Sequence, residues 1–67
     1  MMKQWTPEEV REFRKRLGLY QKDFAELIGV TRTYVIYLEK GVREPGKTMK
    51  KLLDIMEQLE NEKERGR

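Results

Sequence analysis

Apolar residues fall in four groups along the chain, each at helical spacing. Val10, Phe13 and Leu17 make the first stripe; Phe24, Ala25 and Ile28 make the second. Val35 and Leu38, with Tyr34 at their edge, make the third; Met49, Leu52, Leu53, Met56 and Leu59, with Ile55 at its edge, make a broader fourth. A period near 3.6 with no two-residue alternation predicts helices and no strand. The Met49, Leu52, Met56 and Leu59 spacing covers only two heptads, so packing onto a core explains it better than a coiled coil.

The punctuation between the stripes sets the boundaries. Thr6 precedes Pro7, and Glu9 stands three residues after Thr6, which is a capping box with proline at the first helical position. Trp5, just outside, is placed to staple onto Val10. The first helix is predicted over residues 7–17, with Gly18 as its left-handed stop. Gln21 to Ile28 gives a second helix closed by Gly29, too short to persist without tertiary packing. Thr31 caps a third helix running from Arg32 to about Lys40, before Gly41. Gly41-Val42-Arg43-Glu44-Pro45-Gly46 is turn chemistry, and a fourth helix begins between Pro45 and Thr48. Residues 60–67 contain no apolar side chain and are expected to fray. One domain is therefore expected over residues 1–59, followed by a polar tail over 60–67.

The third helix is unusual on its outer side. With Val35 and Leu38 turned inward, Arg32, Thr33, Ile36 and Tyr37 face outward, where a solvated helix would carry charges. On the first helix the outer face holds Arg11, Arg14, Lys15 and Arg16 with Glu8 and Glu12, which reads as a solvated surface with a Glu12 to Arg16 pair.

Composition narrows the chemistry. The 67 residues include no cysteine and no histidine, which removes disulfides, thiolate nucleophiles and zinc sites built on sulfur. No cofactor, metal or catalytic residue is expected, and an enzyme is disfavoured. The longest apolar run, Tyr34 to Leu38, is far too short to span a membrane, and Met1-Met2-Lys3-Gln4-Trp5 leads into no signal segment, so a cytoplasmic protein without membrane contact is the expectation. The net charge of +3 is uneven: residues 1–53 hold twelve Lys/Arg against seven Asp/Glu, and residues 54–67 hold three against five. A basic body favours an anionic partner, nucleic acid among them.

The two short central helices meet the requirements of a helix-turn-helix. Ala25 stands where the helices cross and a larger side chain would separate them; Gly29 allows positive φ in the turn; Val30, Val35 and Leu38 dock the second helix of the pair. The motif spans residues 21–40.

From Leu17 to Pro45 the chain, LGLYQKDFAELIGVTRTYVIYLEKGVREP, resembles the lambda-repressor-like, Cro-type helix-turn-helix domains. Their members read like a Leu-Gly-x-Ser-Gln start, a Leu/Phe-Ala pair, a Gly-Val-Ser turn and a Glu-x-Gly-x-x-x-Pro exit. The continuation PGKTMKKLLDIM is similar to short members found among phage regulators and antitoxin-type autorepressors. The resemblance implies an all-α bundle of four, at most five, helices. It also implies a sequence-specific binder of double-stranded DNA, acting as a homodimeric repressor or autorepressor on a palindromic operator and nucleoid-associated when bound.

Carried over position by position, the resemblance puts Arg32, Thr33 and Tyr37 against base edges, with Ile36 between them. Gln21 matches a phosphate-holding glutamine, and Thr31, Tyr34, Lys40, Arg43 and Lys47 fall beside the DNA backbone. Glu39 reads as a structural acceptor. Relatives usually have Ser or Thr where Tyr20 stands, so a cap hydroxyl is lost there. The fifth helix of longer members, often part of their dimer contact, is absent; Ile55 and Leu59, helped by Leu52, are the expected replacement. The alternative is a protein-interaction module that presses Tyr34, Ile36 and Tyr37 onto a toxin, inhibitor or other regulator.

Overall fold

The computed structural model describes residues 4–65, which form four helices: α1 (Pro7–Arg16), α2 (Gln21–Ile28), α3 (Arg32–Lys40) and α4 (Lys47–Arg65). The expected all-α arrangement with its central helix pair is present.

Both halves of the capping box at α1 are made. Thr6 Oγ1 accepts from the Glu9 amide at 3.2 Å, and Glu9 Oε1 accepts from the Thr6 amide at 3.1 Å. Two orphan donors of the first turn are thereby satisfied. The helix ends at Arg16, one residue before the predicted end, because Leu17 is the cap and Gly18 takes φ +75°. The amides of Gly18 and Leu19 then fold back onto the carbonyls of Lys15 and Arg14, at 2.9 and 3.2 Å. The same double closure ends α2, where Gly29 at φ +77° lets the Val30 amide reach the Ala25 carbonyl at 2.9 Å. Both are Schellman motifs, and each turns the chain sharply into its next element.

The core takes Trp5, Val10 and Phe13 from the N-terminal part, Phe24, Ala25 and Ile28 from α2, Val35 and Leu38 from α3, and Leu53 from α4. Phe13 sits at its centre, tilted against Trp5 at 5.4 Å between ring centroids and edge-on to Phe24 at 6.3 Å. Such aromatic pairs add to area burial through their quadrupoles.

Helix α4 is held by fewer fully buried side chains. Leu53 is its single member of the buried core, while Met49, Leu52 and Met56 pack partly against it. Two polar ties add direction: the Trp5 indole Nε1 donates to Asp54 Oδ1 at 2.7 Å, and Arg16 Nη2 donates to Glu57 Oε2 at 2.9 Å. Arg16 thus pairs across to α4 instead of along its own helix with Glu12.

Residues 60–65, expected as a frayed tail, continue α4 to Arg65. Glu, Lys and Arg are strong helix formers, so the ladder extends without an apolar face to hold it. Residues 66 and 67 of that tail lie outside the described residues, as do residues 1–3. No helix among the described residues is long and apolar enough to cross a membrane.

Candidate nucleic-acid interface

Helix α3 is seated by its inner face and leaves the other open. Val35 and Leu38 are buried at 0% and 1% exposure, whereas Arg32, Thr33 and Tyr37 are exposed and Ile36 is half-buried. The outward set expected from periodicity is therefore presented on one side, with Ile36 its most recessed member. At the helix start, Thr31 Oγ1 accepts from the Tyr34 amide at 3.1 Å. A hydroxyl used as acceptor keeps its own proton to donate outward. Tyr34 is half-buried and packs against the core, so its position is fixed by the fold.

The start of α2 is built differently. Tyr20 occupies the N-cap position, makes no side-chain cap hydrogen bond and is 80% exposed. The first-turn amides of α2 therefore lack the hydroxyl that would occupy them, and the positive end of the helix faces outward. It opens into a cleft of about 510 Å³, to which Tyr20 and Gln21 contribute together with Arg11, Arg14, Lys15, Lys22 and Arg32. The single carboxylate lining this cleft is Glu39. Uncapped amides ringed by cations are a favourable seat for an anion such as phosphate.

Glu39 does not leave its charge free to oppose one. Its carboxylate accepts from Arg14 Nε at 2.6 Å and Nη2 at 3.1 Å, and from Gln21 Nε2 at 3.2 Å. Arg14 spends its remaining Nη1 on the Leu19 carbonyl at 3.0 Å. The side chains of Arg14 and Glu39 are only 12% and 5% exposed. The expectation that Glu39 acts as a structural acceptor agrees with this geometry. Gln21 is the surprise, because its amide nitrogen is already engaged; its Nε2 retains one further N–H for an outside acceptor.

Lys40 is the last residue of α3, Arg43 lies in the turn that follows and Lys47 begins α4; all three are exposed. Four cations of the cleft were not anticipated as part of a site: Arg11, Arg14 and Lys15 read from sequence as a solvated face, and Lys22 had no role assigned. Only the crossing of α1 over α3 brings Arg11 and Lys15 beside Arg32. The proposed dimer set divides as well, since Leu52 packs half-buried on the core while Ile55 and Leu59 are 48% and 60% exposed.

Comparison with known proteins agrees with this architecture. A helix-turn-helix family profile matches residues 10–59, so the chain belongs to the helix-turn-helix family, of the lambda-repressor-like, Cro type. Over 36 residues, 54% of this chain, it is 56% identical to an uncharacterized HTH-type transcriptional regulator of Methanothermobacter thermautotrophicus, covering 52% of that protein. A second uncharacterized HTH-type transcriptional regulator, from Archaeoglobus fulgidus, is 42% identical over 36 residues, which are 54% of this chain and 51% of that protein. The matched segment spans about half the length of these curated relatives. No solved structure matches the chain significantly.

Proposed function

We propose that this chain binds double-stranded DNA with sequence preference and regulates transcription, reading bases with Arg32, Thr33, Ile36 and Tyr37 of α3. The observation that carries this reading is the continuity between two surfaces. The exposed face of α3 runs into a cation-lined cleft at the uncapped start of α2, and Arg32 belongs to both. A major groove offers hydrogen-bonding edges and thymine methyls to such a mixed face, and the flanking phosphates meet the cations. Gln21, Thr31, Tyr34, Lys40, Arg43 and Lys47 are assigned to the backbone, joined now by Arg11, Lys15 and Lys22. Two copies related by a two-fold axis engage half-sites about 34 Å apart on a palindromic operator, repressing by occupancy.

The test is a titration of full-chain binding to random duplex DNA against salt. Phosphate neutralisation gives a steep linear fall of log affinity with log salt, and removal of one phosphate-contacting cation, as in Lys15→Ala, lowers the slope by about one. A flat response overturns the reading and favours the protein-interaction alternative, in which Tyr34, Ile36 and Tyr37 meet a toxin or regulator.

A further inference from the structure

The surface of α4 turned away from the core carries a graded stripe. Lys51, Ile55, Gln58 and Glu62 recur every three or four residues, and Leu59 stands four after Ile55 and three before Glu62, so the five share one side of the helix. All five are exposed, and a groove of about 480 Å³ lies along the stripe from Lys47 to Gln58, including Asp54 and Ile55. One end is basic, the middle is apolar and the far end is acidic. Reversed end to end, such a stripe is complementary to itself.

We infer that α4 pairs antiparallel with α4 of a second copy of this chain, with the two-fold axis crossing at the height of residue 57. In that register Ile55 of one copy meets Leu59 of the other, and Lys51 lies about one residue's rise from the partner's Glu62, twice over by symmetry. A parallel pairing sets Lys51 against Lys51 and Glu62 against Glu62, which is repulsive at both ends. Charge complementarity therefore selects the antiparallel mode and the second copy as occupant. Asp54 stands back from the contest, because it accepts the Trp5 indole proton at 2.7 Å. The apolar centre is small, so the pair is weak in solution and is reinforced when two half-sites on one DNA hold both copies. The inference deepens the dimeric part of the proposed function and rests on that part.

The chain has no cysteine, so single introduced thiols report the register directly. In the full-length chain, Gln58→Cys brings the two thiols to nearly the same height, offset by about 3 Å along the helices, and oxidation cross-links it. Thr48→Cys separates them by about 27 Å along the axis at a rise of 1.5 Å per residue, and it stays uncrosslinked. Sedimentation of charge variants supplies the second arm. Lys51→Glu and Glu62→Lys each weaken self-association on the order of tenfold, and the double variant restores it, because the swap rebuilds both pairs. Cross-linking of Thr48→Cys, or a double variant no better than the singles, overturns the register while leaving a dimer. A chain that sediments as a monomer into the millimolar range, with neither thiol cross-linking on operator DNA, overturns the dimeric reading itself.

Discussion

Glu39 of α3 clasps Arg14 of α1 at two points, Nε to Oε2 at 2.6 Å and Nη2 to Oε1 at 3.1 Å, beneath the cleft at the start of α2. The clasp joins the first helix to the C-terminal half of the proposed reading helix, and Gln21 hangs from the same carboxylate. Two-point contact between a fork and a carboxylate fixes orientation as well as distance. Helix α3 is thus held in register by an ion pair at its polar edge and by Val35 and Leu38 at its apolar one.

Glu39→Gln leaves a largely buried guanidinium without its countercharge, and the expected cost is about 3 kcal/mol. Arg14→Lys also destabilises, because an ammonium cannot make the two-point contact and reach the Leu19 carbonyl together. Chemical denaturation of both variants checks this; an unchanged midpoint for Glu39→Gln contradicts the role given to the pair.

Gly29→Ala isolates a backbone effect. A Cβ there meets nothing within 4 Å, so the cost comes from φ +77° alone and is about 1 kcal/mol after the smaller entropy of the unfolded chain is counted. Gly46→Ala is the comparison: its φ is not positive and its Cβ site is equally open, so it escapes the left-handed strain and loses only the modest N-cap preference of glycine over alanine at the start of α4, a smaller change than at Gly29. Equal thermal midpoints for the two variants contradict the account of the turn.

Leu53 and Leu59 stand six residues apart on α4 with opposite surroundings, 0% and 60% exposed. Leu53→Ala is expected to cost about 2–5 kcal/mol and Leu59→Ala about 0.5 kcal/mol or less in the isolated chain. Denaturation at low protein concentration separates them, and a loss of similar size at Leu59 places that side chain in the core.

Much of this architecture is legible from residue patterns. The cap at Thr6, the stops at Gly18 and Gly29, and the inner pair Val35 and Leu38 all follow from local chemistry that tertiary packing does not reverse. What escaped was of a different kind. The clasp between Arg14 and Glu39 joins residues 25 apart in sequence, and the cations Arg11 and Lys15 gain meaning only where α1 crosses α3. The apolar pattern ends at Leu59 but α4 does not, because the charged residues beyond it have helical propensity of their own. Leu52 shared a helix side with Ile55 and Leu59 in projection, yet it leans far enough toward Leu53 to be drawn against the core.

Arg32 and Arg43 are expected to fail differently when shortened. Arg32→Ala loses about 1–3 kcal/mol on the preferred site and relaxes the choice at one base pair, while Arg43→Ala weakens binding on all sequences alike. Affinities measured on a panel of single-base variants of the preferred site distinguish the two patterns, and an unchanged base preference for Arg32→Ala contradicts the orientation assigned to α3.

Selection of bound duplexes from a random pool, using the full chain, tests the central claim most directly. The account predicts enrichment of a symmetric site whose two halves lie one helical turn apart, about 34 Å. A pool that stays random after repeated rounds, at a salt concentration where phosphate contacts hold, would contradict it.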